Sequence, residues 1–491
     1  MSANDATSPV VYSSSSMCID AVSCIKGQHK KKGDVPGAYL QGSQRTCEQV
    51  LARPPVGFRE YDERGVEILW LMNNPLYGQT DAGAIWNRTI NKFITNSDYG
   101  LGMERCPQDP CVYSKVIDHG SGARGTIPLY VDDLRYYWCD GAAAGAETDL
   151  EKLHTRFGID FGETDSQVDY FLGANREPNG KHSVTVGAQT YIGLMVERYF
   201  PDGDVGPNEK YPAFWSYTPA DETLVKAHAA AVAAKSPASP ELTKRYGSLF
   251  GSILHAVKYR PEIAASMSLL GQCLTFATEE LYTCMKRVLI YLARSPNLGT
   301  TFTGKGDGAA KLVAYADSNW GETRSTTGYV VKLANGTVSA ASRRQHCISM
   351  SSCEAELYAL AECAIELLQL IGVINFIGHE LELPVQVYTD NKAAYDLCHR
   401  YTSAQNTRHI QRRLFKMREL RGEGVVAVNH IPTDLNPADL FTKILPRATF
   451  ERHRSNVLNT SGAVANESLR KVNSAKADKV DAAAKSTGRV G

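Results

Sequence analysis

Asp132 and Asp133 sit side by side in LYVDDL (129–134), within an apolar run whose Ile127, Leu129 and Val131 share one side. In an unbroken strand, neighbouring residues point to opposite faces, so one of two adjacent acids would be buried without a partner. A hairpin tip removes that cost and lets both carboxylates approach a cation. An ordinary solvated turn is the other reading, because turns favour Asp. Asp34, in GDVPGAYLQG (33–42), opens an apolar segment, where alone it reads as a helix cap or turn residue. Together, Asp34 and Asp132 could hold two divalent ions about 3.5–4 Å apart, which stabilises both oxygens of an in-line phosphoryl transfer. Hard oxygen ligands of this kind suit Mg²⁺, with Mn²⁺ as an alternative.

A second set of acids follows in the C-terminal half. Asp317 ends KLVAYAD, Glu356 lies within SSCEAELYAL, Asp390 ends VQVYTD and Asp439 lies within NPADLFTK. Asp317 and Asp390 could cap turns, and Asp439, just after Pro437, could favour the dipole of a helix first turn. Glu356 is harder to explain structurally. Ser351 to Glu354 form a capping box, which accounts for Glu354. At about 100° per residue, Glu356 falls on the apolar stripe of Ala359, Leu360, Cys363, Leu367 and Leu370. An acid facing a sheet is costly unless it is paired or bound to metal, which favours Glu356 as a ligand.

The periodicities predict the elements that must carry these acids. AIWNRTINKFI (84–94) and AETDLEKLHTRF (146–157) read as helices, and CVYSKVI (111–117) with TIPLYVDDL (126–134) as a hairpin. From 241 to about 296 the pattern is mostly helical, and from 308 to 447 it runs strand, hairpin, helix, strand, helix, strand, helix. Strands alternating with helices predict a mixed α/β layer fold. Seams fall at the Ala/Ser/Pro stretch from Ala229 to Pro240 and at TGKGDGAAK (303–311), and the Ser/Ala/Lys-rich end beyond about 450 predicts a disordered tail.

Composition narrows the function classes. With 491 residues and 43% hydrophobic content the chain can bury several cores. Lys+Arg and Asp+Glu are both 53, and zero net charge argues against a generic nucleic-acid-coating protein. The start, MSANDATSPV, is too polar for a signal peptide, and no apolar run seems to approach the ~18–20 residues that span a bilayer, so a soluble chain is expected. The 12 cysteines are scattered without a CxxC pair, which predicts reduced thiols in a reducing compartment.

An ordered series of motifs resembles the reverse transcriptase of copia-type LTR retrotransposons: GDVPGAYLQG, PPVGF (54–58), LYGQTDAGAIW (76–86), DPCVY (109–113), LYVDDL and YFLG (170–173). The resemblance continues through YGSLFGSILHAVKYRPEIA (246–264) and KRVLIYL (286–292) into a region similar to an RNase H domain, where Asp317-Ser318-Asn319-Trp320, STTGYVV (325–331), EAELYAL, YTDN and ADLFTK match in order. It implies an α+β and α/β multidomain chain: a polymerase palm with partial fingers over 1–225, a helical thumb or connection over 226–302, an RNase H-like mixed five-stranded sheet with helices over 308–447, and a disordered tail over 450–491.

By the same resemblance, Asp34 and Asp132 are metal ligands, Asp133 is the third palm acid, and Tyr39 is the aromatic that excludes a ribose 2′-OH, although it also reads as a core tyrosine. Asp317, Glu356, Asp390 and Asp439 would bind two Mg²⁺ ions and hydrolyse the RNA strand of an RNA–DNA hybrid. RNA template, DNA primer and dNTPs are the other implied partners. The basic run from Arg400 to Arg421 supplies Arg408, His409, Arg412, Arg413 and Lys416 as phosphate contacts, a solvated helix face being the plain alternative. Lys26 and Lys30 to Lys32 form a weaker patch, and Asp434 is only a faint candidate.

Several departures predict weak or absent DNA synthesis. The matching region starts near SPVV, without the family's basic fingers segment. Asp81 and Gly83 replace the family's Gln and Pro beside the nucleotide site, and Arg135 and Trp138 are bulkier than the residues usual after the catalytic turn. The expected activity is therefore an RNA-directed DNA polymerase fragment coupled to an RNase H, with an inactive remnant or an adopted nucleic-acid-binding module as alternatives. The family implies cytoplasmic particles or the nucleus, and the sequence carries no address.

Overall fold

The computed structural model describes residues 8–43, 50–163, 165, 167–306, 308–321, 324–400 and 411–460. It divides into two compact units, one made of Met1–Ser16, Gln28–Asp165 and Phe376–Gly378, the other of Met17–Gly27, Ser166–Asn375 and His379–Gly491. The helix α1 (Ser13–Lys26) contributes residues to both.

The first unit is built on β1 (His29–Asp34), the short pair β2 (Leu51–Ala52) and β3 (Trp70–Leu71), α2 (Ala82–Thr95), β4 (Glu104–Arg105), β5 (Val112–Asp118), β6 (Ala123–Tyr130), β7 (Asp133–Trp138), α3 (Ala143–Phe157) and β8 (Asp160–Glu163). Six strands form one antiparallel sheet in the order β4-β5-β6-β7-β1-β8. The expected hairpin is β5 with β6, and a second hairpin joins β6 to β7 through Val131 and Asp132. Trp86, Ile90, Phe93, Leu150, Leu153 and Phe157, from the two helices, form a core with Ile127, Leu129, Leu134 and Tyr136 of the sheet. Burying such apolar area at about 25 cal/mol per Å² is what holds the sheet and its acid-bearing turn in place. Arg135 and Trp138, expected to disturb this packing, are accommodated: Arg135 donates to the Tyr137 hydroxyl at 2.5 Å, and Trp138 stacks on His29 with ring centroids 5.5 Å apart.

The second unit begins with β9 (Asp169–Phe171), β10 (Ala174–Pro178) and β11 (Ser183–Gly187), followed by α4 (Gln189–Tyr199), α5 (Glu222–Ala234), α6 (Pro240–Ala256), α7 (Ala264–Gly271), α8 (Glu279–Ala293) and β12 (Gly299–Thr303). Because β11 pairs with β12 in register from Ser183↔Thr303 to Gly187↔Gly299, residues 169–187 belong with this unit, and the division falls after 165 rather than at 225. The Ala/Ser/Pro seam is likewise structured. It closes α5 and opens α6, where the Ser239 Oγ accepts from Leu242 N–H and Pro240 takes the first helical turn.

The rest of that unit comprises β13 (Val313–Asn319), β14 (Thr326–Leu333), β15 (Gly336–Arg344), α9 (Ser352–Phe376), β16 (Val385–Thr389), α10 (Lys392–His399), α11 (Gln411–Gly422), β17 (Val426–His430) and α12 (Arg447–Leu458). Its five-stranded mixed sheet has the order β15-β14-β13-β16-β17, antiparallel across β13, β14 and β15 and parallel across β13, β16 and β17. Two expectations need correction. Residues 450–458 are helical, with Phe450, Val457 and Leu458 of α12 buried, so the ordered chain extends past the expected tail boundary, while 461–491 lie outside the described residues. At 25 residues α9 is also long and apolar enough to cross a membrane, but 61% of its most apolar window is buried as a core helix.

Candidate functional site

In the first unit the acids gather at the end of the β1–β7 pair. Asp34 ends β1 directly opposite Asp133, which begins β7, and also faces Asp160 of β8. Asp132 shares the two-residue turn with Val131, whose φ of 56° is strained for a β-branched residue. Two bonds fix the turn: the Trp86 indole donates to Val131 O at 2.7 Å, and Val35 N–H to Asp132 O at 3.0 Å. Asp34 is exposed, and Asp132 and Asp133 are half-buried. The Lys32 ammonium lies 3.2 Å from Asp133. Partial burial raises the Asp133 carboxyl above the usual range against the pull of Lys32, and Asp34 and Asp132 add to the rise.

Around that turn, Tyr39 is half-buried with its ring 4.8 Å from Tyr77 and packs on the core. Asp81 is buried at the N-terminus of α2, where the helix dipole favours a carboxylate. The basic patch expected just before Asp34 is partly committed elsewhere, because Lys30 is buried and Lys32 is paired with Asp133.

In the second unit Asp317, Glu356 and Asp390 each place a carboxylate oxygen within 4.8 Å of the other two, and no other such group of three occurs among the described residues. Asp317 points from β13, Glu356 from the second turn of α9, and Asp390 from the end of β16. As expected, α9 starts with a cap: Ser351 Oγ accepts from Glu354 N–H, and the Glu354 carboxylate accepts from Met350 N–H at 2.6 Å. That start fixes Glu356 against the sheet. Its Oε1 accepts from Ser318 N–H at 3.0 Å and from the Ser318 hydroxyl at 2.9 Å, and its Oε2 accepts from Thr389 at 3.3 Å.

The fourth acid, Asp439, lies in the 3₁₀ segment Pro437–Phe441. Two features bring this segment to the sheet. Asn436 Nδ2 donates to Ala316 O at 3.1 Å, and Gly328 of β14 permits the approach, since a Cβ there would lie 2.5 Å from Thr442 Cγ2 and 2.9 Å from Phe441 Cβ. Thr442 then donates its hydroxyl to Asp317 Oδ2, and the Lys443 ammonium reaches Asp439 Oδ1 at 2.6 Å and Asp317 Oδ2 at 3.4 Å.

Burial dominates the electrostatics of this cluster. Desolvation pushes Asp317 up to about 7, against Lys443 and with Asp439 adding to the rise, and pushes Glu356 up to about 8, with Asp317 and Asp390 adding to it. Carboxylates so arranged repel one another and lack solvent, so hard oxygen donors and an excess of negative charge here fit a divalent cation.

Sequence reading singled out the four acids and missed the groups that hold them: Ser318, Thr389, Gly328, Thr442 and Lys443. A signal existed for the last, since Lys443 stands four residues after Asp439, a spacing at which opposite charges meet on helical backbone. Asp434 lies outside the cluster, in a 3₁₀ turn whose carbonyl accepts from Arg452.

The basic segment is only partly described, Arg408 and His409 lying outside the described residues. Within α11, Arg412 is exposed, Arg413 sits 3.8 Å over the Tyr358 ring, and Lys416 pairs with Glu419 at 2.7 Å. Arg418 and Arg421 donate to Leu397 O and Cys398 O at the end of α10. Much of the charge read from sequence as a phosphate surface thus serves helix packing.

Residues 2–199 match a family model described as reverse transcriptase (RNA-dependent DNA polymerase). The chain is 27% identical over 456 residues to the retrovirus-related Pol polyprotein from transposon RE1 of Arabidopsis thaliana, covering 92% of this chain and 29% of that protein. It is 27% identical over 459 residues to that from transposon TNT 1-94 of Nicotiana tabacum, covering 90% of this chain and 32% of that protein. It thus spans less than a third of the length of these relatives. Among solved structures it is similar to a foamy viral protease-reverse transcriptase in complex with an RNA/DNA hybrid, at 11% identity and a TM-score of 0.42, over 82% of this chain and 44% of that one.

Proposed function

The chain belongs to the copia-type retrotransposon Pol family, and from that membership we propose that its second unit hydrolyses the RNA strand of an RNA–DNA hybrid with divalent metal, while its first unit is a weak RNA-directed DNA polymerase. The observation that carries the nuclease reading is the convergence of Asp317, Glu356 and Asp390 within 4.8 Å. In this reading the five-stranded sheet and α9 form an RNase H-like domain, and the six-stranded sheet of the first unit is the polymerase palm.

Asp317, Glu356 and Asp390, with Asp439 beside them, would hold Mg²⁺. Bound there, the metal supplies a nucleophilic hydroxide at neutral pH and neutralises charge on the phosphoryl oxygens. The protein's own groups keep the ligands in place. Ser318 and Thr389 orient both oxygens of Glu356, and Thr442 fixes one oxygen of Asp317, so the carboxylates need not reorganise when substrate arrives. Arg412 is the described cation of α11 best exposed for phosphate contact, and Arg408 and His409 complete the proposed surface.

For the polymerase, Asp34 and Asp132 are the proposed metal ligands, Asp133 is the third acid, and Tyr39 sits beside the incoming dNTP. Weak synthesis is supported by the looser arrangement there: the three acids do not converge as the nuclease acids do, and Lys32 draws Asp133 to itself.

The decisive experiment incubates the purified chain with a labelled RNA–DNA hybrid and Mg²⁺. Cleavage abolished by Glu356→Gln is the expected result. No cleavage, or cleavage that survives this change, overturns the nuclease reading and leaves a non-catalytic nucleic-acid-binding module or an inactive remnant. Primer extension on an RNA template tests the other half, and robust synthesis lost in Asp132→Asn would overturn the weak-polymerase reading.

A further inference from the structure

In the nuclease cluster, Asp439 is not a member of the converging group, although it is buried nearby. Its Oδ1 is taken by the Lys443 ammonium at 2.6 Å, and the same ammonium lies 3.4 Å from Asp317 Oδ2. Lys443 therefore bridges the two carboxylates that a second ion would have to bridge. We infer that the Lys443 ammonium is a resident cation that takes the place of one of two divalent ions, so that this site binds a single divalent ion tightly. The inference rests on the nuclease reading above and specifies its ion count.

Three physical features support it. First, the lysine is tethered. It follows the 3₁₀ segment that Asn436 ties to Ala316 O and that Gly328 admits against β14, so its stem starts beside the acids and its ammonium has a short path to them. Second, the competing oxygen is already shared: Asp317 Oδ2 accepts from Thr442 as well as facing Lys443, leaving that side of the carboxylate occupied, whereas Glu356 and Asp390 converge on its other neighbourhood. Third, the charges balance better with one ion. Four carboxylates and one ammonium leave three negative charges; one divalent ion brings this to a single negative charge, and a second would make a buried site net positive. Excess charge of either sign is costly where solvent is excluded.

The lysine has a consequence for ion affinity. An ammonium is a compact, strongly hydrated point charge on a flexible stem, and repulsion between it and a divalent ion a few ångströms away must weaken that ion's binding. Removing the charge while keeping the stem should open the second position. Moving it to a guanidinium should keep the position closed.

The experiment counts Mn²⁺ ions by electron paramagnetic resonance and calorimetry on the full chain carrying Asp34→Asn and Asp132→Asn, which removes the ligands of the first unit. One tightly bound ion is expected. Adding Lys443→Met should bring a second ion, its affinity raised about tenfold or more, and Lys443→Arg should retain one. Two ions of similar affinity with Lys443 present, or still only one in Lys443→Met, would overturn the inference while leaving the nuclease reading intact. No ion bound in any of these chains would reject the nuclease reading itself, and this inference with it. The first count needs no change at Lys443, so the question is answered even if Lys443→Met does not fold.

Discussion

The two units place carboxylates in opposite settings. In the first, Asp34, Asp132 and Asp133 stand at the open end of a strand pair and its turn, none of them fully buried. In the second, Asp317, Glu356 and Asp439 are buried, Asp390 is half-buried, and three of the four converge. Acids near solvent cost little to fold around, but nothing forces them into register for an ion. Buried acids oppose folding through desolvation and mutual repulsion, so the fold must hold them with hydroxyls, an amide and an ammonium, and what results is organised before any ion or substrate binds. The difference shows that the number of acidic ligands in a motif says little about readiness for catalysis. The supporting groups decide it.

The largest expected effects separate the two clusters by reaction. Asp390→Asn should reduce hybrid cleavage by about a thousandfold and leave primer extension unchanged, because it removes one of three converging ligands. Asp132→Asn should do the reverse, abolishing whatever primer extension the chain supports and sparing cleavage. Steady-state assays of both reactions on both variants check this. A single change that lowered both activities together would break the comparison, since the contrast treats the clusters as chemically independent.

Gly328 tests whether the supporting groups matter as much as the ligands. A Cβ at that position would meet Thr442 Cγ2 at 2.5 Å, so Gly328→Ala must push away the segment that carries Asp439, Thr442 and Lys443. Overpacking of this kind costs about 1–3 kcal/mol, and a displacement of about 1 Å at the acids lowers the cleavage rate by about a hundredfold. Urea melts and cleavage assays report the two effects. Wild-type cleavage in a destabilised Gly328→Ala chain would show that the close approach serves stability alone.

The buried cluster also predicts a pH signature that the exposed one lacks. Asp317 and Glu356 titrate at about 7 and about 8 in the fold, above their unfolded values, so the folded chain holds protons that the unfolded chain has released. Stability from these groups is therefore highest below about pH 4 and is lost as pH rises to about 8. Without divalent ions, Glu356→Gln should be more stable than wild type by about 2 kcal/mol at pH 8, with the gap closing by pH 5. Mg²⁺ at a hundred times its Kd should return about 2.7 kcal/mol to wild type and much less to the variant. An unchanging gap across pH 5–8 in thermal melts would contradict the burial argument.

Much of this architecture could be read from the chain, and the limits of that reading have physical causes. The β5–β6 hairpin, α2, α3 and the capped start of α9 follow local rules of periodicity and capping, and so does the sheet-facing position of Glu356. The division after 165 did not, because it is set by the pairing of β11 with β12, more than a hundred residues apart. The helix ending at Leu458 escaped notice because few of its residues are apolar, yet Phe450, Val457 and Leu458 are buried. The spanning length of α9 was overlooked because its acidic residues break up the run, although its apolar windows still qualify. Tertiary holders such as Thr442 and Ser318 look like ordinary hydroxyls until the strands that align them are in place.

The smallest effects lie in α11, where the same residue type performs two tasks. Arg418 donates to Leu397 O at 2.9 Å and so satisfies a carbonyl at the end of α10, where cations also favour the helix dipole. Arg418→Ala should lower stability by about 1 kcal/mol. Arg412 is exposed, so Arg412→Ala should leave stability within about 0.5 kcal/mol. If α11 contacts hybrid phosphates as proposed, Arg412→Ala instead lowers the slope of log affinity against log salt by about one. Fluorescence anisotropy with a labelled hybrid at several salt concentrations, run beside urea melts, separates the roles. A salt slope that fell in Arg418→Ala but not in Arg412→Ala would reverse the assignment, making the packing arginine the phosphate contact and the exposed one a solvated bystander.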